Sequence, residues 1–530
     1  MSILGAAGVA AAEPFSVNDA INQAIRTNPN VGESRANRRA TEAELGQAQG
    51  AVLPQVRLQA TAGPERLNRF QNSTPALNAQ WDRGRDASVV VRQLVFDGFT
   101  TLNQIWRQAA RVDAAALRVK ERTELTALDA VEAYLDVVRY IRLVQLAEEN
   151  LEVHRRIRMN VEARFSGGRA GEGDQQQALE RVSQAEATLY EFRTTLDQAR
   201  AKYRRVVGIE PNNLRFPGRL PAMPPNKDVA LSAALRDNPT VKAAEADVEA
   251  SRYDFRSTSG AFVPNVYLEG RALRGADSIT YPGPRDEFSA KVVVAWDVFR
   301  GGIDAWRRTE TAERMIEQTE RHARLQRETF ESIDKAWAAR TITTDRVAAL
   351  ERDVAAARRV VAAYGKEYEL GQRTLIDLLN SQNQLFNSTV SLISTRSVTV
   401  FADYQLLAAM GYLLSYIKTT PPTEAELVNT PSPGFVRVKM PPLWFSDPAT
   451  GSEPVNVANP SVPAVPPVAP FPFYAPSEPP KAALDAPSSG SLPTAISNPA
   501  NWFAMRFGDR TEQDRSHELL FSSVFLNGRQ

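Results

Sequence analysis

Tyr368-Glu369-Leu370-Gly371-Gln372-Arg373-Thr374-Leu375-Ile376-Asp377-Leu378-Leu379-Asn380 lies between two very long helical patterns. A weaker copy, Phe165-Ser166-Gly167-Gly168-Arg169-Ala170-Gly171-Glu172-Gly173-Asp174, lies between two more. Phe165 matches Tyr368, Gly168 matches Gly371 and Asp174 matches Asp377, each pair 203 positions apart. A repeat at fixed offset sets the architecture. The chain reads as two copies of one unit, each folding a long helical hairpin back at a glycine tip.

Working outward, residues 97–210 and 285–420 contain no proline. Apolar residues recur at three and four: Leu128, Val131, Leu135 and Val138, later Phe330, Ile333 and Trp337. The pattern predicts outgoing helices of about 65 to 70 residues, roughly 100 Å long at 1.5 Å per residue. They return through helices of about 35 to 40 residues. The faces are mildly apolar and rich in Ala, Gln, Arg and Glu, which suits side-by-side packing around a wet interior.

Further out, the offset becomes 210. Ser16 and Asp228 precede helical patterns that end at Asn28-Pro29 and Asn238-Pro239. A second helix follows in each half, to about Gly50 and Gly260. Beyond Val52-Leu53-Pro54 and Phe262-Val263-Pro264 the period changes to two. Val56, Leu58, Ala60 and Ala62 alternate with polar residues, as do Val266, Leu268, Gly270 and Ala272, and then Phe288, Ala290, Val292, Val294 and Trp296. Residues 88–96 make the remaining strand, with loops around 63–86 and 274–286. Alternation predicts strands with one greasy and one wet face. The charged face, with Arg57, Glu269, Arg271 and Lys291, suits a water-filled lumen. Four strands cannot close a barrel, and open edges require partners.

Composition excludes several functions. Lys and Arg total 63 against 62 acids, so no nucleic-acid partner is expected. There is no cysteine, hence no disulfide, thiolate metal site or catalytic thiol. His154, His322 and His517 read as solvated surface residues. No triad, phosphate loop or metal constellation is found; Arg169 to Asp174 is glycine-rich, but no strand precedes it. The chain is expected to be no enzyme, with no cofactor and no structural metal. Residues 1–14 resemble the remnant of a secretory signal without its positive leader. No apolar run reaches the ~18 residues of a membrane helix.

The duplicated order of helix, helix, strand pair, very long helix, glycine tip and returning helix resembles the TolC-type outer membrane factors. So do Asn28-Pro29, Val52-Leu53-Pro54, Phe96-Asp97-Gly98 and Tyr368 through Asp377. The resemblance implies a mainly α fold with a transmembrane β portion. It implies a homotrimer whose α-helical barrel is continuous with a 12-stranded β-barrel in outer-membrane lipid, with a periplasmic tunnel. The partners implied are a periplasmic adaptor and an inner-membrane ABC or proton-driven pump. The function implied is a passive exit duct for type I protein secretion or multidrug efflux. The alternative reading is a soluble periplasmic coiled-coil scaffold without a pore.

The domains follow. Residues 15–226 form the first repeat, with a strand hairpin at about 54–96 and a helical hairpin at about 98–208. Residues 227–420 form the second, with hairpins at about 264–298 and 302–412. Residues 421–500 hold about twenty of the 34 prolines and read as a tail whose first part belongs to the tunnel's equator. Residues 501–530 are a C-terminal segment with no assigned role.

The resemblance also implies a gate. Asp377 matches an aspartate ring that narrows the pore and binds cations. Asn380 stands where the prototype has a second aspartate, so one ring is neutral here. Tyr368 and Arg373 match residues that hold the tip closed, and their partner matches Asp174. Gly173 replaces the neighbouring hydroxyl. Gly168, Arg169, Gly371 and Gln372 form the tip turns expected to meet the adaptor. From the residues alone, Asp174 and Asp377 are also expected to cap the returning helices.

Overall fold

The computed structural model describes residues 15–66, 81–278 and 281–428. In the first repeat the elements are α1 (Val17–Thr27), α2 (Pro29–Gly50), β1 (Gln55–Arg66), β2 (Trp81–Phe96), α3 (Thr100–Ser166) and α4 (Glu172–Val207). In the second they are α5 (Lys227–Asp237), α6 (Pro239–Ser257), β3 (Asn265–Ser278), β4 (Tyr281–Ala295), α7 (Ile303–Glu369) and α8 (Leu375–Met410), followed by the short α9 (Leu413–Tyr416).

The Asn-Pro corners explain how each unit closes. Proline has no N–H to lose at a first helical position and stops the preceding helix. Asn28 Oδ1 caps α2 by accepting from the Asn30 N–H at 3.0 Å, while its Nδ2 donates to the Val206 carbonyl at the end of α4. Asn238 does the same, accepting from Thr240 N–H at 2.8 Å and donating to the Ala409 carbonyl of α8. The returning helix must end beside this corner. Gly411 ends α8 at φ +74°, and a Cβ there would lie 2.6 Å from the Pro239 ring. Only glycine meets both demands.

The outgoing helices α3 and α7 are each 67 residues long, and α4 and α8 are each 36. They differ in burial. Helix α3 lies against α2, α4, α6 and α8. Helix α7 leaves Trp306 75%, Ile316 51% and Ile342 65% exposed. Phe330, read from periodicity as part of a packing stripe, is also exposed, because no element among the described residues covers that face.

The main core sits midway along the helices. Ile21, Val131, Tyr134, Tyr203, Leu413 and Leu414 are almost wholly buried there, among the alanines of α3. The Tyr134 hydroxyl lies 2.9 Å from the carbonyls of Phe15 and Arg215, and accepts from the Arg215 N–H. It therefore pins the start of the first repeat to the linker after it. Residues 421–428 lie against α2 and α3: Glu424 accepts from Arg35 and Arg39, and the Val428 N–H donates to Asp113 at 2.7 Å. The leader, the rest of the proline-rich tail and the C-terminal segment fall outside the described residues.

His154 and Glu124 of α3 are both buried. His154 is 5% exposed rather than solvated, because it falls on the inner face of α3. Burial pushes its pKa down, and the nearby Arg181 adds to this. His322 is half-buried and His517 lies outside the described residues. Glu124 of α3 is 3% exposed and faces the Leu414 N–H at 3.4 Å. Burial pushes its pKa up to about 7 from 4.5. A raised carboxylate pKa means that the folded chain holds a proton which the unfolded chain has lost. Stability from this group is therefore present below pH 4.5 and declines as pH rises to about 7, by roughly 3 kcal/mol. Glu124→Gln, which mimics the protonated acid, is expected to raise the thermal midpoint at pH 8 and leave it nearly unchanged at pH 4.5. Equal shifts at both pH values count against a buried, titrating carboxyl.

The four strands form one antiparallel sheet in the order β1-β2-β3-β4. They run past the loops expected from alternation, through Arg66 and Ser278 and back from Trp81 and Tyr281. The register puts Val56, Val91, Gly270 and Ala290 in one row of one face, and Leu58, Val89, Ala272 and Phe288 in the next. Leu58 is 77% and Phe288 84% exposed. A bulge between Leu94 and Phe96 returns Phe96 to this apolar face, beside Val266. Strands of 12 to 16 residues exceed the ~9–11 needed to span a bilayer at a tilt. No helix among the described residues is long and apolar enough to do so.

Candidate functional site

The helical tips are built by two copies of one turn. At the end of α3, Gly168 adopts φ +73° and the Arg169 N–H donates to the Arg164 carbonyl at 2.8 Å. At the end of α7, Gly371 adopts φ +74° and the Gln372 N–H donates to the Glu367 carbonyl at 2.8 Å. A left-handed glycine followed by a bond spanning five residues satisfies carbonyls that a helix end leaves open. The tip residues Gly168, Arg169, Gly371 and Gln372 thus occupy equivalent positions, at the far ends of the hairpins from the sheet.

The returning helices start with acidic caps. The Asp174 carboxylate accepts from the Gly171 N–H at 3.4 Å. In the second copy Thr374 caps α8, accepting from the Asp377 N–H at 3.4 Å and donating its hydroxyl to Asp377 Oδ2 at 2.6 Å. The carboxylates also sit where the helix dipole favours negative charge.

Packing then decides which way Asp377 points. Leu375, Leu378 and Leu379 are buried against Ile157, Val161 and Ala178 of α3 and α4. At 100° per residue, Asp377 and Asn380 fall on the opposite side of α8, and being three apart they share it. Asn380 is exposed and Asp377 half-buried. The tip therefore presents one carboxylate and one amide to the side of α8 that faces away from its packed leucines.

Beside this apolar packing, a polar contact between the two hairpins is made by a residue that the sequence reading missed. Arg164, in the last turn of α3, donates to the carbonyls of Tyr368 and Glu369, each at 3.2 Å. Its guanidinium lies 4.4 Å from the centre of the Tyr368 ring. It thus caps the negative end of α7 with a charge and stacks on an aromatic face. Burial raises the Tyr368 pKa, while Arg164 opposes this and Asp174 adds to it. Arg373 is engaged differently from the expected bond to Asp174. Within this chain its Nε donates to Glu367 Oε2 at 2.9 Å, and it stacks 4.1 Å from the Tyr364 ring. The structure thus places Arg164 on Tyr368 and keeps Arg373 in its own turn. The 203 offset pairs Arg164 with Glu367, and that exchange of sign was the available signal.

The comparisons with known proteins agree with this architecture. The family model described as "Outer membrane efflux protein" matches residues 20–208 and 230–412. The outer membrane efflux protein BepC of Brucella suis biovar 1 is 27% identical over 398 residues, covering 75% of this chain and 85% of that protein. The alkaline protease secretion protein AprF of Pseudomonas aeruginosa is 24% identical over 400 residues, covering 72% and 80%. Among solved structures, the CmeC outer membrane channel of Campylobacter jejuni superposes with a TM-score of 0.69 at 13% identity, covering 75% of this chain and 86% of that one.

Proposed function

The chain belongs to the outer membrane efflux protein family, and from that premise we propose that three copies assemble into a passive exit duct. Three four-stranded sheets close one 12-stranded barrel in the outer membrane, and the helical hairpins continue it as a tunnel through the periplasm. The observation that carries this reading is the sheet itself. Its outer strands, β1 and β4, have open edges, and the rows of one face nearest the helices are largely apolar, with Val56, Leu58, Phe288, Val292 and Val294 exposed. In a bilayer, unpaired edges have no solvent to satisfy them, so closure with further copies is required. The uncovered apolar side of α7 supports the same arrangement. A soluble scaffold would leave both features without a partner.

The duct serves a tripartite export system, with an adaptor gripping the tips and an inner-membrane ABC or proton-driven pump supplying energy. The relatives span both efflux and protease secretion, and both cargo classes use the same passive exit. The tip is the gate. Three Asp377 carboxylates around the axis bind cations, with Asn380 forming a neutral ring beside them. Arg164 and Arg373 hold the tip residues in place.

Planar bilayer recordings test the reading. The purified protein is expected to give discrete conductance steps that divalent cations block. Asp377→Asn is expected to weaken that block roughly tenfold, about 1.4 kcal/mol. Conductance steps whose block is the same in the variant would remove Asp377 from the gate. An absence of steps would remove the duct.

A further inference from the structure

The sheet's polar face carries charge unevenly. The ladder aligns Arg57, Val90, Arg271 and Ser289 in one row. The next row, toward the helices, holds Gln55, Arg92, Glu269 and Lys291. These two rows contain four cations (Arg57, Arg92, Arg271 and Lys291) and one acid, Glu269, a net charge of +3 per chain. Arg92 is held in place, 3.7 Å from Glu269 and 4.5 Å from the Tyr267 ring. Arg57, Arg271 and Lys291 are exposed on the face. The rows to either side are close to neutral: Leu94, Tyr267 and Val293 on the helix side; Gln59, Ser88, Leu273 and the single acid Glu287 on the other.

We propose that these two rows form a cationic collar inside the β-barrel that binds multivalent anions and favours anionic solutes in the outer part of the duct. The inference rests on the trimeric reading above, which sets three such patches around one lumen. The collar then carries about nine positive charges within two residue rows, or roughly 7 Å along the strand. Rings of arginine and lysine select anions in pores, because low-dielectric walls focus their field on the lumen. Guanidinium groups also hold phosphate, sulfate and carboxylate by two parallel hydrogen bonds. The collar and the acidic tip then act in series on opposite charges, at opposite ends of the tunnel.

Tripolyphosphate added to each side of a bilayer holding the full-length protein tests this. From the barrel side it is expected to block current at 0.1 M KCl, and 1 M KCl should weaken the block at least tenfold, as the Debye length falls from ~10 to ~3 Å. The Arg57→Gln/Arg271→Gln double variant is expected to shift half-block at least tenfold to higher concentration. Arg57→Lys/Arg271→Lys should keep the block within about threefold of the parent, which separates lost charge from a damaged barrel. A conducting wild-type channel with no barrel-side block overturns the collar, as does block equally strong in the glutamine variant. A protein that gives no conductance at all speaks instead against the duct.

Discussion

Asp403→Ala is expected to lower stability by about 3 kcal/mol, the low end of the ~3–5 kcal/mol range for breaking a buried ion pair. Asp403 of α8 is fully buried. It accepts from Arg219 Nε and Nη2 at 3.1 and 2.9 Å, and from Arg340 Nε at 3.0 Å. Arg219 belongs to the linker between the repeats and also donates to Thr344 of α7 at 2.8 Å. One carboxylate thus ties the linker to both helices of the second hairpin. Without it, two guanidinium groups face each other with no counter-charge. Both retain some exposure, 39% and 27% of the side chain, and can turn to water, hence the low end. Asp403→Asn keeps an acceptor and is expected to cost less. Arg219→Ala should cost least, because Arg340 still pairs the acid. Thermal midpoints in detergent give the order, and an alanine variant as stable as the parent would show that the cluster is energetically idle.

Arg164→Ala is expected to produce the largest functional change, a rise in closed-state conductance. Its hydrogen bonds to Tyr368 and Glu369 join the end of α3 to the end of α7. Bonds from a charged donor contribute about 1.5–3 kcal/mol when buried. These are only partly shielded, so ~1–2 kcal/mol is the reasonable share. Opening the proposed gate parts the second hairpin from the first and breaks this contact. Removing it shifts the closed-to-open ratio about 5- to 30-fold. Arg164→Lys keeps the charge but loses the planar stack on Tyr368, so an intermediate conductance is expected. If alanine leaves single-channel conductance and open probability unchanged, Arg164 merely caps α7.

Much of the architecture was legible because the chain states it twice. The Asn-Pro corners, the strand-opening prolines and the tip glycines each answer a backbone demand that other residues meet poorly, so they mark the same joints in both repeats. Strand ends were less legible. Alternation follows the boundary between lipid and lumen, whereas the ladder continues through Gly63, Pro64, Arg274 and Gly275, where both faces are polar. The tip was half legible. Asp377 as a capping acid on the side of α8 away from its packed leucines follows from its spacing to Leu375, Leu378 and Leu379. Arg164 did not stand out, because arginine in a last helical turn is common. Asp403 offered a clearer signal: an acid flanked by Val400, Phe401, Ala402 and Tyr404 has to find a cation. His154 misled for the converse reason, since its charged sequence neighbours lie on other faces of the helix.

The central claim is that copies of this chain pool their sheets to close one barrel, and the most direct test is the protein mass of the detergent-extracted particle by light scattering with the detergent contribution subtracted. The account predicts three chains per particle, at every dilution at which the sheet stays folded. A particle of one chain, with β1 and β4 still open to solvent, would contradict it.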